Sequence, residues 1–401
     1  MRKFINHHIP EEALGTYYTL PFSVPAGLSS VAVAYEYEGG TVDLGLTDHE
    51  QNFLGWSGSG RSRVYVGPVA ATPGYRMTEI TAGTWHIIIG AYKIPPGGLN
   101  VKYTIEFSYP APRWLGGDLH IHSDASDGQH DIPTLAKKAQ KKGLDFIAIA
   151  NHNNYCENFH LPKIPGLTII PAVEWTHYRS HINFFGVPAP FDSFVANGED
   201  EMRKIVAEAK SRGALVSANH PLDGNCPYLW ESTDHLDMIE VWNAPMRNQN
   251  VQAIAWWHRM LQGGRKIPIV GGSDFHRNLH PARIGHPTTR VLASSQAAGD
   301  ILDALKQGHS YITATVGGVQ LELKAGEFMM GDTIKNSESL FINAIGLGGK
   351  LQLVTSEGVA CEWRQNKLPA IVNISPEWKF AYLIARNIFG RIKAISNPIY
   401  F

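Results

Sequence analysis

The sequence predicts an α/β domain between two all-β regions, and three patterns along the chain predict it. Residues 1–112 contain short β-branched and aromatic runs, such as VAVAYEYEGG and VKYTIEFSY, separated by glycine- and proline-rich turns. Residues 113–317 alternate short apolar runs with helical stretches, and residues 318–401 return to short strands. We therefore expect an N-terminal β-sandwich, a central α/β domain and a small C-terminal β domain.

The central region carries the clearest helical periodicity. In its first helical stretch, Leu135, Ala136 and Ala139 recur at helical spacing behind Asp131, a residue type that favours the N-cap position. The runs between the helices, such as LDFIAIANH and LTIIPAVEW, are apolar on both faces, which is typical of a parallel sheet or barrel. The helical stretches that we predict cover residues 131–142, 198–212, 247–262 and 295–307.

The charge balance excludes one class of partner. The chain of 401 residues has 35 Lys and Arg against 36 Asp and Glu, which leaves a formal net charge of −1. No basic field is therefore available to hold nucleic acid or anionic lipid. We expect neither a nucleic-acid partner nor a membrane partner, and the oligomeric state is open.

The N-terminal segment and the cysteines set the expected location. The first residues, MRKFINHHIPEEALG, lack the apolar core of a signal peptide, so we expect a cytoplasmic protein. Cys156, Cys226 and Cys361 lie far apart without CxxC spacing, which argues against a disulfide framework and against a thiolate zinc site. We read all three as ordinary thiols.

Histidines and carboxylates follow the predicted strands of the central region. His120 and His122 end the first strand, and side chains two residues apart on a strand point to the same side. Asp274 and His276 repeat this spacing at the last strand. The ends of strands in a barrel converge on one mouth, where such folds place their active sites. Imidazole with carboxylate suits zinc, manganese or iron. The other candidates at strand ends or in the adjoining loop are Asp127, His152, Glu174, His181 and His220.

Five motifs in this region resemble a known family. They are GDLHIHSDASDG, the NHN after LDFIAIA, PAVEWT, ANHP and GGSDFH, and they resemble the ordered motifs of the polymerase and histidinol phosphatase (PHP) superfamily. The flanking regions look like the branch that includes carbaryl-type carbamate hydrolases, the CehA/McbA-like proteins. The resemblance implies a distorted (β/α)7 TIM-like barrel that binds two or three divalent ions.

The resemblance also implies the ligands. Either His177 or His181 could be the histidine ligand that follows Glu174, and we favour His181. Asn151 stands where the family motif has Asp, so we expect an altered hydrogen bond to His152 or a neighbour, and we leave the occupancy of the third ion open. The implied ligands are His120, His122, Glu174 and Asp274 for the first ion, Glu174, His181 and His220 for the second, and Asp127, His152 and His276 for the third.

These ligands predict a hydrolase with a metal-bound water as nucleophile, held by Glu174, His120 and His122. Three divalent ions would contribute a charge of about +6 and three carboxylates about −3. The site would therefore be positively charged, which favours an anionic substrate. We therefore expect a phosphoesterase acting on a small phosphate ester. The alternatives are a carbamate or carboxylic ester hydrolase that uses the same centre, and a catalytically idle binding protein.

Residues further from the ligands have less specific signals. Arg277, Asn243 and Arg247 are candidates for substrate contact, because they lie next to predicted strand ends. We read Glu240, in the strand DMIEVW, as structural. The remaining histidines receive no role: His7, His8, His49, His86, His130, His160, His235, His258, His280, His286 and His309.

Overall fold

A computed structural model describes residues 1–278, 281–334 and 337–401 of the chain. His280, one of the histidines without an assigned role, lies outside the described residues. Within the described part of the chain, no helix combines the length and the apolar character that crossing a lipid bilayer requires.

The chain folds into two compact units. The first comprises residues 1–111 with 163–166, and the second comprises residues 112–162 with 167–401. The domain boundaries predicted after residues 112 and 317 stay predictions, and the second of them falls inside one compact unit.

The first unit consists of two antiparallel sheets whose inner faces share one apolar core. Its strands are β1 (Arg2–Ile9), β2 (Tyr17–Val24), β3 (Ser30–Glu36), β4 (Thr41–Thr47), β5 (Phe53–Trp56), β6 (Arg63–Val66), β7 (Gly83–Lys93) and β8 (Leu99–Ser108). The sheet orders are β1-β8-β3-β6 and β2-β7-β4-β5. In β8, Val101, Tyr103 and Ile105 are buried and alternate with more exposed residues, because successive side chains of a strand point to opposite faces.

The second unit begins with seven strands that pair in chain order. Its elements up to the seventh strand are β9 (Arg113–Ile121), α1 (Ile132–Lys142), β10 (Phe146–His152), β11 (Thr168–His177), β12 (Ser180–Phe185), α2 (Glu199–Ser211), β13 (Leu215–Asn219), β14 (Met238–Asn243), α3 (Asn248–Gln262) and β15 (Ile269–Gly272). Neighbouring strands are parallel except at β12, which is antiparallel to both β11 and β13.

The end of the seventh strand returns to the first. Phe275 forms a parallel bridge with Ile121, and the amide of Asp274 donates to the carbonyl of His120 over 2.8 Å. Gly272 permits this approach, because a Cβ at this position would lie 2.4 Å from the Cβ of His120. The backbone therefore brings the residues after β15 beside the residues that end β9.

The helices agree with the sequence periodicity, but they are fewer than a strict (β/α)7 pattern requires. The N-cap Asp131 accepts a hydrogen bond from the amide of Thr134, and Gly143 ends α1 in the left-handed conformation, as caps of these types do. Only three of the six connections among the seven strands carry an α-helix. The distorted (β/α)7 barrel therefore stays a prediction, and the domain is rich in strands.

The C-terminal strands extend the same sheet. β16 pairs antiparallel with the first half of β9, and the sheet continues in the order β16-β17-β25-β24-β21-β22, with β26 beside β24. A further small sheet has the order β19-β18-β20-β23. The elements are β16 (Thr288–Ala293), α4 (Ala298–Gln307), β17 (Ser310–Thr313), β18 (Gln320–Ala325), β19 (Phe328–Met329), β20 (Ser339–Ile345), β21 (Gly349–Thr355), β22 (Gly358–Arg364), β23 (Ala370–Asn373), β24 (Phe380–Asn387), β25 (Ile392–Ser396) and β26 (Ile399–Tyr400).

Candidate metal centre

The His-x-His pair at the end of β9 lies at the buried side of the candidate site. His120 and His122 are both fully buried, and their ring centroids lie 5.1 Å apart. The imidazole of His276, which follows β15, stacks on His122 with a centroid distance of 4.1 Å. The closure of β15 against β9 therefore unites the two predicted pairs of ligands in one cluster.

Glu174, near the end of β11, lies at the centre of this cluster and is fully buried. Its Oε1 atom lies 3.3 Å from His120 Nε2, 3.1 Å from His181 Nδ1 and 3.3 Å from His220 Nε2. The amide group of Asn219 also donates to Oε1 over 2.8 Å. One carboxylate oxygen thus faces imidazoles from three different strand ends.

The other oxygen of Glu174 and the two aspartates face the remaining histidines. Glu174 Oε2 lies 2.9 Å from His152 Nδ1 and 3.4 Å from His122 Nε2. Asp274 Oδ1 lies 3.2 Å from His122 Nε2. On the more open side, Asp127 Oδ1 lies 3.6 Å from His152 Nε2. The same aspartate oxygen lies 3.2 Å from Nε2 of His276. All nine residues predicted from the sequence therefore lie in one continuous cluster.

The buried nitrogen and oxygen atoms of the cluster are suited to bind divalent ions, because several of them lack a well-formed hydrogen bond. These atoms, His120 Nε2, both ring nitrogens of His122 and Glu174 Oε2, lie within 4 Å of charged neighbours but make no hydrogen bond of acceptable geometry. Buried polar atoms in folded proteins are nearly always paired, so a group of unpaired imidazole nitrogens around a carboxylate calls for a shared partner. His122, Asp127, His152 and His276 place four donor atoms within 4.8 Å of one another.

The electrostatics agree with such a centre. Burial opposes ionisation of Glu174 and Asp274, but the surrounding histidines, His120 foremost, hold the pKa of both carboxyl groups well below their usual range. Burial lowers the pKa of His122 to about 4, so its ring is neutral at pH 7 and can act as a ligand. Burial also lowers the pKa of His120, but Glu174 and Asp274 outweigh it and raise that pKa well above its usual value. A metal ion that binds His120 must therefore displace a proton.

Glu240 in β14 contacts two of the clustered histidines on the side away from Glu174. The sequence analysis treated it as structural and did not predict these contacts. Its Oε1 atom lies 3.1 Å from His120 Nδ1, and Oε2 accepts the backbone amide of His220 over 3.0 Å. Oε2 also accepts a hydrogen bond from Asn243 over 3.1 Å. The available signal was a carboxylate inside the buried strand MIEVWN, since a buried charge needs a polar partner.

Asn151, at the end of β10, contacts the segment that follows β9. Its Oδ1 atom accepts the amide of Ser123 over 2.8 Å and the hydroxyl of Ser126 over 3.1 Å. Its amide group donates to Glu157 Oε2 over 3.2 Å. Of the two expected partners, His152 or a neighbour, these contacts are with neighbours, and Asn151 anchors the segment that leads from His122 to Asp127.

The candidate substrate contacts differ in position. Asn243 is only 4% exposed and bonds to Glu240, so it lies behind the donors and not at the rim. Arg247 lines a water-sized cavity that also lies behind His220. Arg277 is exposed and lines an open cleft of about 590 Å³ together with Asp127. Of the three candidates, only Arg277 shares an open cleft with one of the nine donors.

The two neighbouring histidines His177 and His181 have different contacts. His177 Nε2 lies 3.0 Å from the carbonyl of Ala196, and its ring stacks on Trp175. His181 faces Glu174 instead. His181 and Thr176 are paired residues in the β11–β12 ladder, so both lie on the face that carries Glu174.

The cluster agrees with similarities to known proteins. Residues 118–206 match the sequence profile of the PHP domain. Over 148 residues the chain is 28% identical to the DNA polymerase/3'-5' exonuclease PolX of Bacillus subtilis, covering 31% of this chain and 26% of that protein. It is 29% identical over 161 residues to the uncharacterized protein MJ1587 of Methanocaldococcus jannaschii, covering 35% of this chain and 89% of that protein.

A solved structure is also similar. It is a two-domain protein from Bacteroides vulgatus containing a predicted PHP-like metal-dependent phosphoesterase, with 17% identity, a TM-score of 0.43, and coverage of 72% of this chain and 95% of that one. The segment matched by the PHP profile contains six of the nine clustered donors, from His120 to His181. The profile match and the relatives show that residues 118–206, with the donors that they contain, are similar to the PHP domain.

Proposed function

We propose that this protein is a metal-dependent phosphoesterase that hydrolyses a small phosphate ester with two or three divalent ions. The observation that carries the proposal is the convergence of nine imidazole and carboxylate side chains around Glu174, with unpaired buried nitrogens on His120 and His122. Such an arrangement is costly in a protein that binds no ion, because unpaired buried polar groups destabilise the fold.

The distances favour three groups of ligands, two of which share Glu174. The group around Asp127 has its own carboxylate and lies on the more open side. When bound, divalent ions lower the pKa of a coordinated water toward neutrality and offset negative charge on the substrate. The proposed groups are His120, His122, Glu174 and Asp274, then Glu174, His181 and His220, then Asp127, His152 and His276.

The charge of the loaded site favours phosphate over a neutral ester. Three divalent ions carry about +6, and Glu174, Asp127 and Asp274 return about −3. Glu240, which contacts His120, is a fourth carboxylate, and including it leaves the site with a net charge of about +2. The pocket thus stays positive although the chain as a whole is nearly neutral.

The chain's own residues supply orientation and anion contact. Glu240 holds the ring of His120 through Nδ1, which leaves Nε2 directed at Glu174. Arg277 lies at the open cleft beside Asp127 and offers a guanidinium for a phosphate oxygen. Gln129 and Asn278 line the same cleft and can hydrogen-bond a substrate.

Two finer assignments belong to the same proposal. We interpret β9 to β15, with the bridge from Phe275 to Ile121, as a distorted barrel of the (β/α)7 type. We also keep the CehA/McbA-like branch as the proposed position within the superfamily, on the N-terminal β-sandwich and on the segments GHPTTRV, EFMMGDTI and NPIYF that follow the last proposed ligand. The branch is what makes a carbamate or carboxylic ester the substrate class to test against phosphate.

The test is hydrolysis by protein that has been stripped with a chelator and reloaded with zinc or manganese. We expect turnover of p-nitrophenyl phosphate, little turnover of 1-naphthyl acetate or an aryl carbamate, and no release of nucleotides from DNA. His120→Ala should lower the phosphatase rate at least about 100-fold, since it removes a central ligand. His160→Ala, at an exposed position, is the matched control.

Three outcomes would overturn the proposal. Turnover of the carbamate or the acetate with phosphate esters inert would select the alternative hydrolase. Release of nucleotides from DNA with p-nitrophenyl phosphate inert would select a nuclease. Full metal occupancy with no turnover of any of these substrates would select a binding protein.

A further inference from the structure

A cysteine lies directly beside the proposed second group of ligands. Cys226, in the loop after β13, places Sγ 3.4 Å from Nδ1 of His220. One donor atom each from His181, His220 and Cys226 lies within 4.8 Å of the other two. The nine residues predicted from the sequence did not include this thiol.

The two ring nitrogens of His220 face different partners. Nε2 lies 3.3 Å from Glu174 Oε1, whereas Nδ1 lies 3.4 Å from Cys226 Sγ. His181 is 16% exposed at its side chain and His220 is 8% exposed, so both lie at the outer edge of the buried cluster. Cys226 is partly buried at the same edge.

The donors of this edge differ in chemical softness from those of the rest of the centre. The first group, which has the two carboxylates Glu174 and Asp274, suits manganese as well as zinc, whereas thiolate with imidazole favours zinc. We propose that Cys226 is a further metal ligand, which with His181 and His220 forms a zinc-selective position at the edge of the centre. This inference rests on the proposed function only in requiring that the centre binds metal.

The coordination step is a simple ligand exchange. The thiol of Cys226 loses its proton to solvent, a sulfur–metal bond forms, and a water leaves the ion. No oxidant or reductant takes part. Zinc in this position would be held by Sγ of Cys226, Nδ1 of His220 and a ring nitrogen of His181, with water completing its coordination; Glu174 lies on the Nε2 side of His220 and takes no part.

The test uses cobalt as a coloured substitute for zinc in the full-length chain. Wild type titrated with cobalt should develop a near-ultraviolet thiolate-to-cobalt charge-transfer band, and Cys226→Ser should lose it. Cys361→Ser, which removes another partly buried thiol, is the matched control and should keep the band. Zinc affinity should fall at least about 10-fold in Cys226→Ser, with a smaller change for manganese.

Alkylation gives a second readout that needs no activity. Iodoacetamide followed by mass spectrometry should label Cys226 in the stripped protein, and bound zinc should protect it. Cys156 is exposed and should be labelled equally with and without zinc. Bound cobalt without a band in wild type, a band that persists in Cys226→Ser, or no protection by zinc would overturn this inference alone. Failure to bind any metal would overturn the proposed function as well.

Discussion

Glu240 shows how a residue outside the ligand set controls the centre. One carboxylate oxygen lies 3.1 Å from His120 Nδ1, and the other accepts the backbone amide of His220. A histidine that binds metal through one ring nitrogen commonly has its other nitrogen fixed by such a partner, which sets the tautomer and the ring orientation. Glu240 is therefore a positioning residue for two of the proposed ligands.

We predict that Glu240→Gln weakens metal binding about 10- to 100-fold, because the neutral amide no longer fixes the ring of His120 as a charged acceptor does. The measurement is a competition titration with a chromophoric chelator. Glu377→Gln changes an exposed glutamate and serves as the control. Equal affinities in Glu240→Gln and wild type would show that the ring needs no such support.

At the level of single residues, the sequence predicts ligands better than it predicts their supports. The His-x-His spacing and the strand ends identify His120 and His122, because the alternation of side chains is a local property. The contact between His120 and Glu240 joins residues 120 positions apart, and no local pattern reports it. Cys226 lies only 6 positions after His220, but it has neither CxxC spacing nor a place at a strand end, so no role was predicted for it from the sequence.

The segment that joins β9 to α1 depends on Asn151 in the neighbouring strand. Asn151 accepts the amide of Ser123 and donates to Glu157, and the hydroxyl of Ser123 contacts Glu157 as well, over 2.5 Å. These bonds fix the start of the segment that carries Asp127. Where the family motif has an aspartate, this chain has a neutral amide beside a separate carboxylate.

We predict that Asn151→Asp lowers the free energy of unfolding by about 1–3 kcal/mol, because it loses the donor to Glu157 and sets two carboxylates against each other. Urea denaturation of the stripped protein measures this change. Asn366→Asp, at an exposed position, is the control for the added charge. A variant as stable as wild type would mean that the contact with Glu157 contributes nothing.

Element by element, the sequence predicted helices more completely than strand directions. All four predicted helical stretches contain α-helices, because caps and helical spacing are local signals. The antiparallel direction of β12 was not predicted, because the turn at Tyr178 and Arg179 lacks the glycine, asparagine and proline that mark hairpins. An apolar run alone does not reveal the direction of its neighbour.

Across the whole second unit, Asn397 joins the C-terminal segment to the central strands. It is fully buried, accepts the amide of Ile269 over 2.8 Å, and donates to the carbonyl of Ser310 over 3.0 Å. It thus connects β17 with β15, the strand that precedes the bridge from Phe275 to Ile121. The C-terminal strands therefore contribute to the region that positions Asp274.

We predict that Asn397→Ala lowers the free energy of unfolding by about 3 kcal/mol, because it leaves the buried amide of Ile269 without a partner. Thermal and urea unfolding measure the effect. Asn373→Ala, at an exposed position, should change stability by less than about 0.5 kcal/mol. Similar losses in both variants would argue against a specific role for Asn397.

On this largest scale, composition predicts the absence of nucleic-acid and membrane partners but does not reveal the local charge. The near-neutral total of the chain says nothing about how Glu174, Asp274 and the histidines collect at one place. Nor did the return to short strands after residue 317 show that β25 would pair with β17, since pairing between distant segments leaves no periodic signal.

The central claim is that the cluster around Glu174 binds metal ions, and metal content per chain tests it most directly. Stripped protein is dialysed against zinc or manganese, freed of unbound ions and analysed by inductively coupled plasma mass spectrometry. We predict about two or three ions per chain in wild type and at least one fewer in Glu174→Gln, which removes the shared carboxylate. Less than one ion per chain in wild type, or an unchanged count in Glu174→Gln, would contradict the account.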